Sequence, residues 1–281
     1  MAKSNTKIVL ITGASSGIGE ATAFYLATKG YKVIGTSRDK NRLINLKDQS
    51  KANGNEVDIE ELDINSETSI TRAIHNIKNK YGHIDVLVNN AAYGLWGPAQ
   101  TFSMKELRSQ FETNFFGTFL MCKTILPYML QKERGTIINI SSVLGKISTP
   151  FNGGYAATKF ALEGLSEAMR FELWPFGIRI VLVEPGLFKT NFKDNQIIAA
   201  NAECSEFPYR DLISNYRNKR KSYEFLSKNP ISVAKVIHKI VRAKNPRFRY
   251  KVGIETILGT LGSNILPERI YQSIISRTYM N

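Results

Sequence analysis

Short apolar runs alternate along this chain with longer stretches in which apolar residues recur every three or four positions. The runs predict six buried strands, at Ile8–Ile11, Lys32–Thr36, Val57–Leu62, Asp85–Val88, Thr136–Ile140 and Arg179–Val183. The stretches between them predict helices at about Ile18–Lys29, Asn41–Asn53, Ser66–Tyr81, Met104–Leu130 and Ala156–Leu173. Strands rich in Val, Ile and Leu that alternate with helices are typical of a parallel sheet covered on both faces. The pattern therefore predicts an α/β fold with a doubly wound parallel sheet of the Rossmann type.

After Pro185 the regular alternation ends. The remaining elements are two helical patterns, one strand candidate and an amphipathic tail, at Pro208–Phe225, Ile231–Val241, Phe248–Val252 and Ile254–Ile275. The tail contains Gly259, Gly262 and Pro267, which argue against one continuous helix. Because no repeat or flexible linker divides the chain, we predict a single domain over residues 1–281. The regular alternation lies within residues 1–190, and residues 191–281 would form a helical C-terminal extension.

Composition excludes a disordered chain, because 43% of the 281 residues are hydrophobic and 22% are charged. Lys and Arg number 38 against 24 Asp and Glu, so the net charge is +14. Residues 190–281 hold 16 basic and 7 acidic residues, which leaves +9 in the last third. Strong positive charge is the first sign of a nucleic-acid-binding protein, but no basic–aromatic motif or known binding module accompanies it. We therefore predict no nucleic-acid partner and interpret the charge as a solvated surface.

Cys122 and Cys204 are the two cysteines, and they lie far apart without the spacing of a metal site. The sequence thus predicts no metal and no disulfide scaffold, as expected in a reducing compartment. The N-terminal apolar stretch Ile8–Ile11 is too short for a signal peptide, and no later run reaches about 18 apolar residues. These observations predict a cytoplasmic protein.

A glycine-rich loop joins the first strand to the first helix. Gly13, Gly17 and Gly19 stand in the spacing Gly-x3-Gly-x-Gly, with Ser15, Ser16 and Ile18 between them. Glycines allow a tight turn and a close approach of the backbone, and the N-terminus of the following helix favours a diphosphate. In this strand–turn–helix context the loop predicts dinucleotide binding, although a simple tight turn would use the same residues.

The residues that follow the second strand bear on the choice of cofactor. An NAD site places a carboxylate there for the ribose 2′-hydroxyl, whereas this chain has Ser37 and Arg38. The paired donors and permanent charge of a guanidinium suit a 2′-phosphate. Asp39 could serve a 2′-hydroxyl if the strand ended one or two residues later. We predict NADP(H).

Tyr155 and Lys159 are four residues apart near the start of a predicted helix, so their side chains share one helix face. A free tyrosine titrates near ~10, which is too high for efficient proton transfer at neutral pH. A neighbouring ammonium and an oxidised nicotinamide ring would favour the tyrosinate and lower that pKa. The pair is thus a candidate for general acid–base catalysis, although such pairs are also common as surface contacts.

These motifs together resemble those of the short-chain dehydrogenase/reductase family. The matching pieces occur in the family's order: Thr12–Gly19, Asp63, Asn89-Asn90-Ala91-Ala92, Asn114, Ser142, Tyr155-x3-Lys159, Pro185-Gly186 and Thr190. They span residues 8–190, about two-thirds of the chain. The resemblance thus implies a cofactor-binding and catalytic core over residues 1–190, and a substrate lid with a C-terminal extension over residues 191–281. Two positions depart from the family pattern: Ala92 replaces the usual Gly, and Ser16 stands where NADP-preferring members often have Lys or Arg.

The resemblance implies a role for each matching residue. Asn114, Ser142, Tyr155 and Lys159 would be catalytic: Tyr155 would donate the proton, Ser142 would bind the substrate oxygen, and Lys159 would also bind the nicotinamide ribose. Asn114 would hold a water that connects Lys159 to solvent. The implied cofactor-binding residues, beyond the glycine loop and the end of the second strand, are Asp63, Ile64, Asn90, Ala91, Pro185, Gly186, Phe188 and Thr190.

The residues expected around the substrate are largely apolar. They are Leu95, Trp96, Val143, Leu144, Phe151, Leu187 and Phe188, together with Ser142. This composition favours a hydrophobic alcohol or ketone as substrate, unless several of these side chains simply pack in the core. The reaction would be hydride transfer between NADP(H) and a carbonyl or alcohol carbon.

Two other interpretations of the function stay open. A catalytically silent protein that senses NADP(H) would need only the glycine loop, so the retained Asn114, Ser142, Tyr155 and Lys159 count against it. Peripheral membrane association is possible for the basic last third and its amphipathic tail, but the glycines and the proline of the tail disfavour it. The two long helices after the fourth and fifth strands resemble those that pair in family dimers and tetramers, which predicts a homo-oligomer.

Overall fold

The computed structural model describes residues 6–190, 192, 195–202, 208–222 and 227–280. Nine strands occur in these ranges: β1 Ile8–Thr12, β2 Lys32–Ser37, β3 Asp58–Glu61, β4 Val86–Asn89, β5 Leu95–Trp96, β6 Gly135–Ile140, β7 Ile178–Pro185, β8 Ile197–Ile198 and β9 Arg249–Val252. Seven of them form one parallel sheet in the order β3-β2-β1-β4-β6-β7-β9. The strands run outward from β1 to β3 on one side and from β4 to β9 on the other, so the strand order reverses between β1 and β4, as in a doubly wound fold.

Helices cover both faces of the sheet. They are α1 Gly17–Ala27, α2 Ile44–Ala52, α3 Glu67–Tyr81, α4 Met104–Phe111, α5 Thr118–Gln131, α6 Gly153–Leu173, α7 Arg210–Ser222, α8 Ile231–Arg242, α9 Ile254–Ile265 and α10 Glu268–Tyr279. On one face, Leu26 of α1 and Ile237 of α8 belong to the same buried cluster as valines of the sheet, among them Val9 of β1 and Val181 of β7. On the other face, Ile70 of α3, Ile125 of α5 and Met169 of α6 belong to a second cluster. The predicted Rossmann-type fold is confirmed.

The long helix predicted over Met104–Leu130 is interrupted. A π-helical turn, Glu112–Gly117, separates α4 from α5, and Asn114 is buried within this turn. A Cβ on Gly117 would lie 2.7 Å from the carbonyl oxygen of Ile64, so glycine lets the helix approach the end of β3 closely. Apolar spacing alone did not distinguish this turn from α-helix, because a π turn shifts the pattern by a single residue.

The C-terminal part is more than a helical extension. β9 adds a seventh strand at the sheet edge beside β7, as the pattern at Phe248–Val252 predicted. The tail forms two helices that separate at Leu266 and Pro267, whereas Gly259 and Gly262 lie within α9. Residues 223–225 of the predicted helix Pro208–Phe225 lie outside the described residues, as does Cys204.

A small parallel sheet, β5 with β8, was not predicted because each strand has only two residues. Within the ranges that the structure describes, no helix has the length and apolarity to cross a membrane.

Candidate active site

The predicted site residues gather at the carboxyl ends of the parallel strands. Each of β1, β2, β3, β4, β6 and β7 is followed by at least one of them. Parallel strands place all their carboxyl ends at one edge, and ligands of open α/β sheets bind in the crevice outside that edge. Residues that are far apart in sequence therefore meet in one region of the molecule.

Hydrogen bonds tie the glycine loop to the end of β4. The Thr12 hydroxyl accepts from the backbone N–H of Asn90 at 3.0 Å and of Ala91 at 3.1 Å. The Asn90 side-chain amide donates to the carbonyl oxygens of Thr12 and Gly13, each at 3.0 Å. Asn90 thus braces the loop from behind, which agrees with its predicted support of the strand end.

The loop leaves no room for side chains at its glycines. A Cβ on Gly13 would lie 2.8 Å from the Ala91 Cα, and a Cβ on Gly19 would lie 2.3 Å from the Gly13 carbonyl oxygen. Gly13 and Gly17 have φ values of 64° and 62°, which favour glycine. Ser16 precedes α1 without capping it through its side chain. The loop thereby exposes backbone close to a helix N-terminus, and a dinucleotide diphosphate fits such a cradle.

β2 ends at Ser37, one residue later than predicted, and its side chain is buried. Arg38 follows and is exposed. The Asp39 carboxylate accepts from the Asn41 N–H at 2.9 Å and so caps the next helical turn. Both Arg38 and Asp39 therefore face solvent at this strand end, and one oxygen of the Asp39 carboxylate is held by the backbone.

The other expected cofactor residues border the same crevice. Asp63 is partly exposed after β3, where its Oδ1 accepts from the Asn65 N–H at 3.0 Å, and Ile64 beside it is buried. Pro185 ends β7, and the Gly186 N–H donates to the Val252 carbonyl oxygen at 2.9 Å. This backbone course brings Thr190 next to Gly17, where an added Cβ would lie 3.1 Å from the Thr190 Cβ. Phe188, which lies between Gly186 and Thr190 in the chain, forms an isolated parallel β-bridge with Lys228.

Tyr155 and Lys159 lie one turn apart at the start of α6 and both are buried. The Lys159 Nζ is 5.6 Å from the centre of the Tyr155 ring and donates to the Ile140 carbonyl oxygen at 2.8 Å. Ser142 follows β6 and hydrogen-bonds with Tyr155, while its hydroxyl accepts from the Leu144 N–H at 3.1 Å. The structure therefore brings Ser142, Tyr155 and Lys159 together, as the motifs predicted.

Burial changes the titration of both catalytic candidates. It raises the pKa of Tyr155, and the hydrogen bond with Ser142 partly opposes that shift. Burial lowers the pKa of Lys159 to about 8, although the nearby Glu163 carboxylate raises it. A pKa of about 8 leaves the lysine largely cationic at neutral pH. The chain without cofactor therefore favours a protonated Tyr155, and the lowered tyrosine pKa expected with an oxidised nicotinamide stays a prediction.

Asn114 connects two parts of the site. Its Oδ1 accepts from the Tyr93 N–H at 3.0 Å, and its Nδ2 donates to the Tyr93 carbonyl oxygen at 2.9 Å. The same Nδ2 donates to the Thr158 hydroxyl at 3.2 Å, and Thr158 donates to the Tyr155 carbonyl oxygen at 2.8 Å. Asn114 is thus a brace between the end of β4 and the start of α6. Its role in holding a water stays a prediction.

A buried charge network behind Lys159 was missed in the sequence. The Glu163 carboxylate lies 3.1 Å from both the Lys146 Nζ and the Arg249 Nε. Arg249, on β9, also lies 3.4 Å from the fully buried Glu184 and 3.0 Å from Glu167. One signal was available: Glu163 and Glu167 continue the four-residue spacing of Tyr155 and Lys159, so all four share one face of α6.

Of the expected substrate residues, three lie in two buried clusters and one is exposed. Leu95 is buried in a cluster with Ala199 and Ala202, whereas Trp96 and Phe151 are buried with Tyr216 of α7. Leu187 is exposed beside α9. Their contact with a substrate stays a prediction. Phe192, which the sequence reasoning did not select, has its ring centre 5.3 Å from that of Tyr155.

Comparisons with known proteins agree with this geometry. The family profile described as short chain dehydrogenase matches residues 7–199. The 3-ketodihydrosphingosine reductase of Bacteroides thetaiotaomicron is 39% identical over 270 residues, which cover 95% of each chain. Retinol dehydrogenase 8 of Homo sapiens is 36% identical over 273 residues, which cover 92% of this chain and 86% of that protein. A short-chain dehydrogenase structure from Streptomyces avermitilis superposes with a TM-score of 0.83 at 31% identity and covers 99% of each chain.

Proposed function

Because the chain belongs to the short-chain dehydrogenase/reductase family and is an oxidoreductase of that type, we propose that it transfers hydride between NADP(H) and a hydrophobic ketone or alcohol. The observation that carries the proposal is that Ser142, Tyr155 and Lys159 lie close together at the same edge of the sheet as the glycine loop. Neither motif by itself places Ser142 near Tyr155 and Lys159. Proton transfer to a substrate oxygen, however, requires the three side chains to lie close together.

In the direction of reduction, the Tyr155 hydroxyl donates its proton to the substrate oxygen as negative charge develops there. The Ser142 hydroxyl donates a hydrogen bond to the same oxygen and stabilises that charge. The Lys159 ammonium, close to the tyrosine ring, stabilises the tyrosinate that remains. Asn114 and Thr158 hold the first turn of α6 in place and so fix the position of Tyr155.

Bound NADP(H) would supply or accept the hydride. The glycine loop, Asn90 and Ala91 would hold its diphosphate end, and Pro185 to Thr190 would border its reacting end. The choice of NADP(H) over NAD(H) is supported by Arg38, which is exposed at the end of β2, and by Asp39, whose carboxylate caps the next turn. Arg38 provides an exposed cation for a 2′-phosphate, and one oxygen of the Asp39 carboxylate is already held by a backbone N–H.

The proposed substrate is a long or bulky apolar ketone or alcohol. Phe192 presents apolar surface beside Tyr155, and Leu187, which follows the Pro185-Gly186 motif, is exposed. The relatives named for 3-ketodihydrosphingosine and for retinol support the same class, since both compounds are lipids.

Tyr155→Phe tests the mechanism. We expect ketone reduction with NADPH to fall by about 10²–10⁴-fold, because the proton donor is lost, while NADPH binding persists. Tyr128→Phe is the matched control, since Tyr128 lies on α5 with Lys78 over its ring at 4.0 Å. Full reduction by the Tyr155→Phe variant across a panel of apolar ketones would contradict the mechanism. Loss of activity in both variants would indicate a general effect of removing a hydroxyl.

Arg38→Gln tests the cofactor. In a fluorescence titration the variant should bind NADPH at least tenfold more weakly, because a charged hydrogen bond to phosphate is lost. NADH affinity should change less than twofold and is the internal control. A wild-type protein that binds NADH as tightly as NADPH would refute the argument from Arg38.

We also propose that the chain forms a homodimer or homotetramer. Large aromatic side chains are exposed along α5, α6 and their flanking turns: Phe116, Phe119, Phe160, Phe171, Trp174 and Phe176. Exposed large aromatic side chains are enriched at interfaces between subunits. Light scattering of the wild type and of Phe119→Ser measures the assembly, and a wild-type mass of one chain would exclude it.

A further inference from the structure

The apolar face of α9 points toward solvent. α9 buries Thr256 and Thr260, whose exposed fractions are 0% and 2%. Its large aliphatic residues are exposed instead: Ile254, Ile257, Leu258, Leu261 and Ile265, with 60% of Leu258 and 69% of Ile265 accessible. An ordinary surface helix has the opposite orientation, with its apolar stripe toward the core. The exposed stripe therefore requires a partner outside the described fold.

The interior of this helix explains its orientation. Thr260 donates to the Thr256 carbonyl oxygen at 2.7 Å and accepts from the Lys251 Nζ at 2.7 Å. Gly259 faces the protein, where an added Cβ would lie 3.0 Å from the Ile147 Cδ1. These contacts hold the small and polar side of α9 against the protein, so the aliphatic side stays outside. Ile270 and Ile274 continue the exposed apolar surface onto α10.

This surface adjoins the entrance of the proposed active site. The Glu255 carboxylate, in the first turn of α9, accepts from the Leu187 N–H at 2.9 Å. Leu187 follows the Pro185-Gly186 motif, and Ile147, which contacts Gly259, lies on the segment that follows Ser142. An apolar molecule that leaves the stripe would thus reach the substrate side of the crevice.

Exposed cations lie on α10, which follows the stripe in the chain, and next to Leu187. Lys189, Lys228, Arg269 and Arg277 are exposed on α10 and on the strand-like segments beside Leu187. Of the two carboxylates in α9 and α10, Glu255 points inward and Glu268 accepts from the Gln272 side chain at 2.9 Å. Exposed aliphatic residues accompanied by exposed cations match an anionic lipid surface. A second copy on this surface would bring the same cations together, and their repulsion would oppose that contact.

We propose that the α9–α10 surface docks on an anionic lipid surface and turns the site entrance toward it. Docking depends on exposed side chains and not on catalysis. The idea that substrate arrives from the lipid rests on the proposed function, whereas the docking itself does not.

Co-sedimentation of the full chain with vesicles tests docking. We compare phosphatidylcholine vesicles with and without phosphatidylglycerol, and the wild type with the double variant Leu258→Ser/Leu261→Ser. The wild type should bind the anionic vesicles more tightly than the neutral ones. The double variant should lose about tenfold in partitioning, because burying the exposed halves of two leucines removes about as much apolar surface from water as burying one whole leucine. Ile44→Ser/Met104→Ser removes similar exposed apolar surface from α2 and α4 and should partition like the wild type.

The other outcomes overturn the proposal. No wild-type binding to anionic vesicles at low salt would exclude a lipid partner. Equal binding of the wild type and the leucine double variant would locate the contact elsewhere. A fall in assembly mass for the double variant without vesicles would assign the stripe to a second copy. Tyr155→Phe should still bind vesicles, so failure of the catalytic proposal and failure of docking give different results.

Discussion

Substitution of Gly19 by Ala tests whether close packing in the glycine loop controls cofactor binding. The added Cβ would lie 2.3 Å from the Gly13 carbonyl oxygen and 2.5 Å from the Asn90 Nδ2. An ordinary contact begins near 3.4 Å, so the backbone must move by about 1 Å. Overpacking of this kind costs about 1–3 kcal/mol. Both contacts belong to the part of the loop that would hold the diphosphate. Much of this free-energy cost should therefore appear as weaker cofactor binding.

The expected result is a loss of about tenfold to a hundredfold in NADPH affinity, since about 1.4 kcal/mol corresponds to a factor of ten. The assay is a fluorescence titration with NADPH, combined with urea unfolding to measure the free energy of unfolding. Binding should weaken while circular dichroism keeps the native helix content.

Gly164→Ala is the matched control, because it makes the same substitution inside helix α6. A Cβ on Gly164 would meet no atom within 4 Å, and the position is exposed. Replacement of a mid-helix glycine should increase the free energy of unfolding by about 0.5–1 kcal/mol and leave NADPH affinity unchanged. Wild-type affinity and stability in the Gly19→Ala variant would refute the argument that this loop holds the cofactor by close backbone packing.

Two further predictions concern the charge network and the start of α4. Glu163→Gln removes the carboxylate that raises the pKa of Lys159, so that pKa falls below its value of about 8 and the alkaline limb of the pH profile of kcat/KM moves to lower pH. The limb should not move in Glu167→Gln, whose exposed carboxylate is one turn farther along α6, and an unmoved limb in Glu163→Gln would exclude the electrostatic role. Ser103→Ala removes a capping box and should lower the free energy of unfolding in urea by about 1 kcal/mol. Ser109→Ala, exposed within the same helix, should have no such cost, and equal effects of the two would contradict the capping argument.

Much of the fold and of the site could be predicted from the sequence, because local chemistry determines those features. The strand pattern depends on side-chain burial along the chain, and it led to the doubly wound sheet and to β9. The glycine loop and the Tyr155–Lys159 spacing could be identified because each is a short-range pattern of particular residue types, whereas Ser142 was identified from the resemblance to the family. Even Pro267 marked the end of α9, since proline cannot continue a helix.

Other features depended on contacts between distant residues. The π turn at Asn114 is accompanied by close packing of Gly117 against Ile64 and by hydrogen bonds to Tyr93 and Thr158. Ile64, Tyr93 and Thr158 are all distant from Asn114 in sequence. The pairing of β5 with β8 likewise joins residues about a hundred positions apart, and two-residue strands carry no periodic signal.

The charge network near the candidate active site and the orientation of α9 also depended on the tertiary structure. Glu163 was not selected from the sequence, although its four-residue spacing from Lys159 puts it on the same helix face, and only the tertiary structure brings Arg249 of β9 against it. The amphipathic pattern of the tail was visible in the sequence, whereas its orientation was not. Periodicity identifies two faces of a helix and does not say which one meets the protein, so the outward aliphatic face of α9 was decided by the packing of Gly259, Thr256 and Thr260.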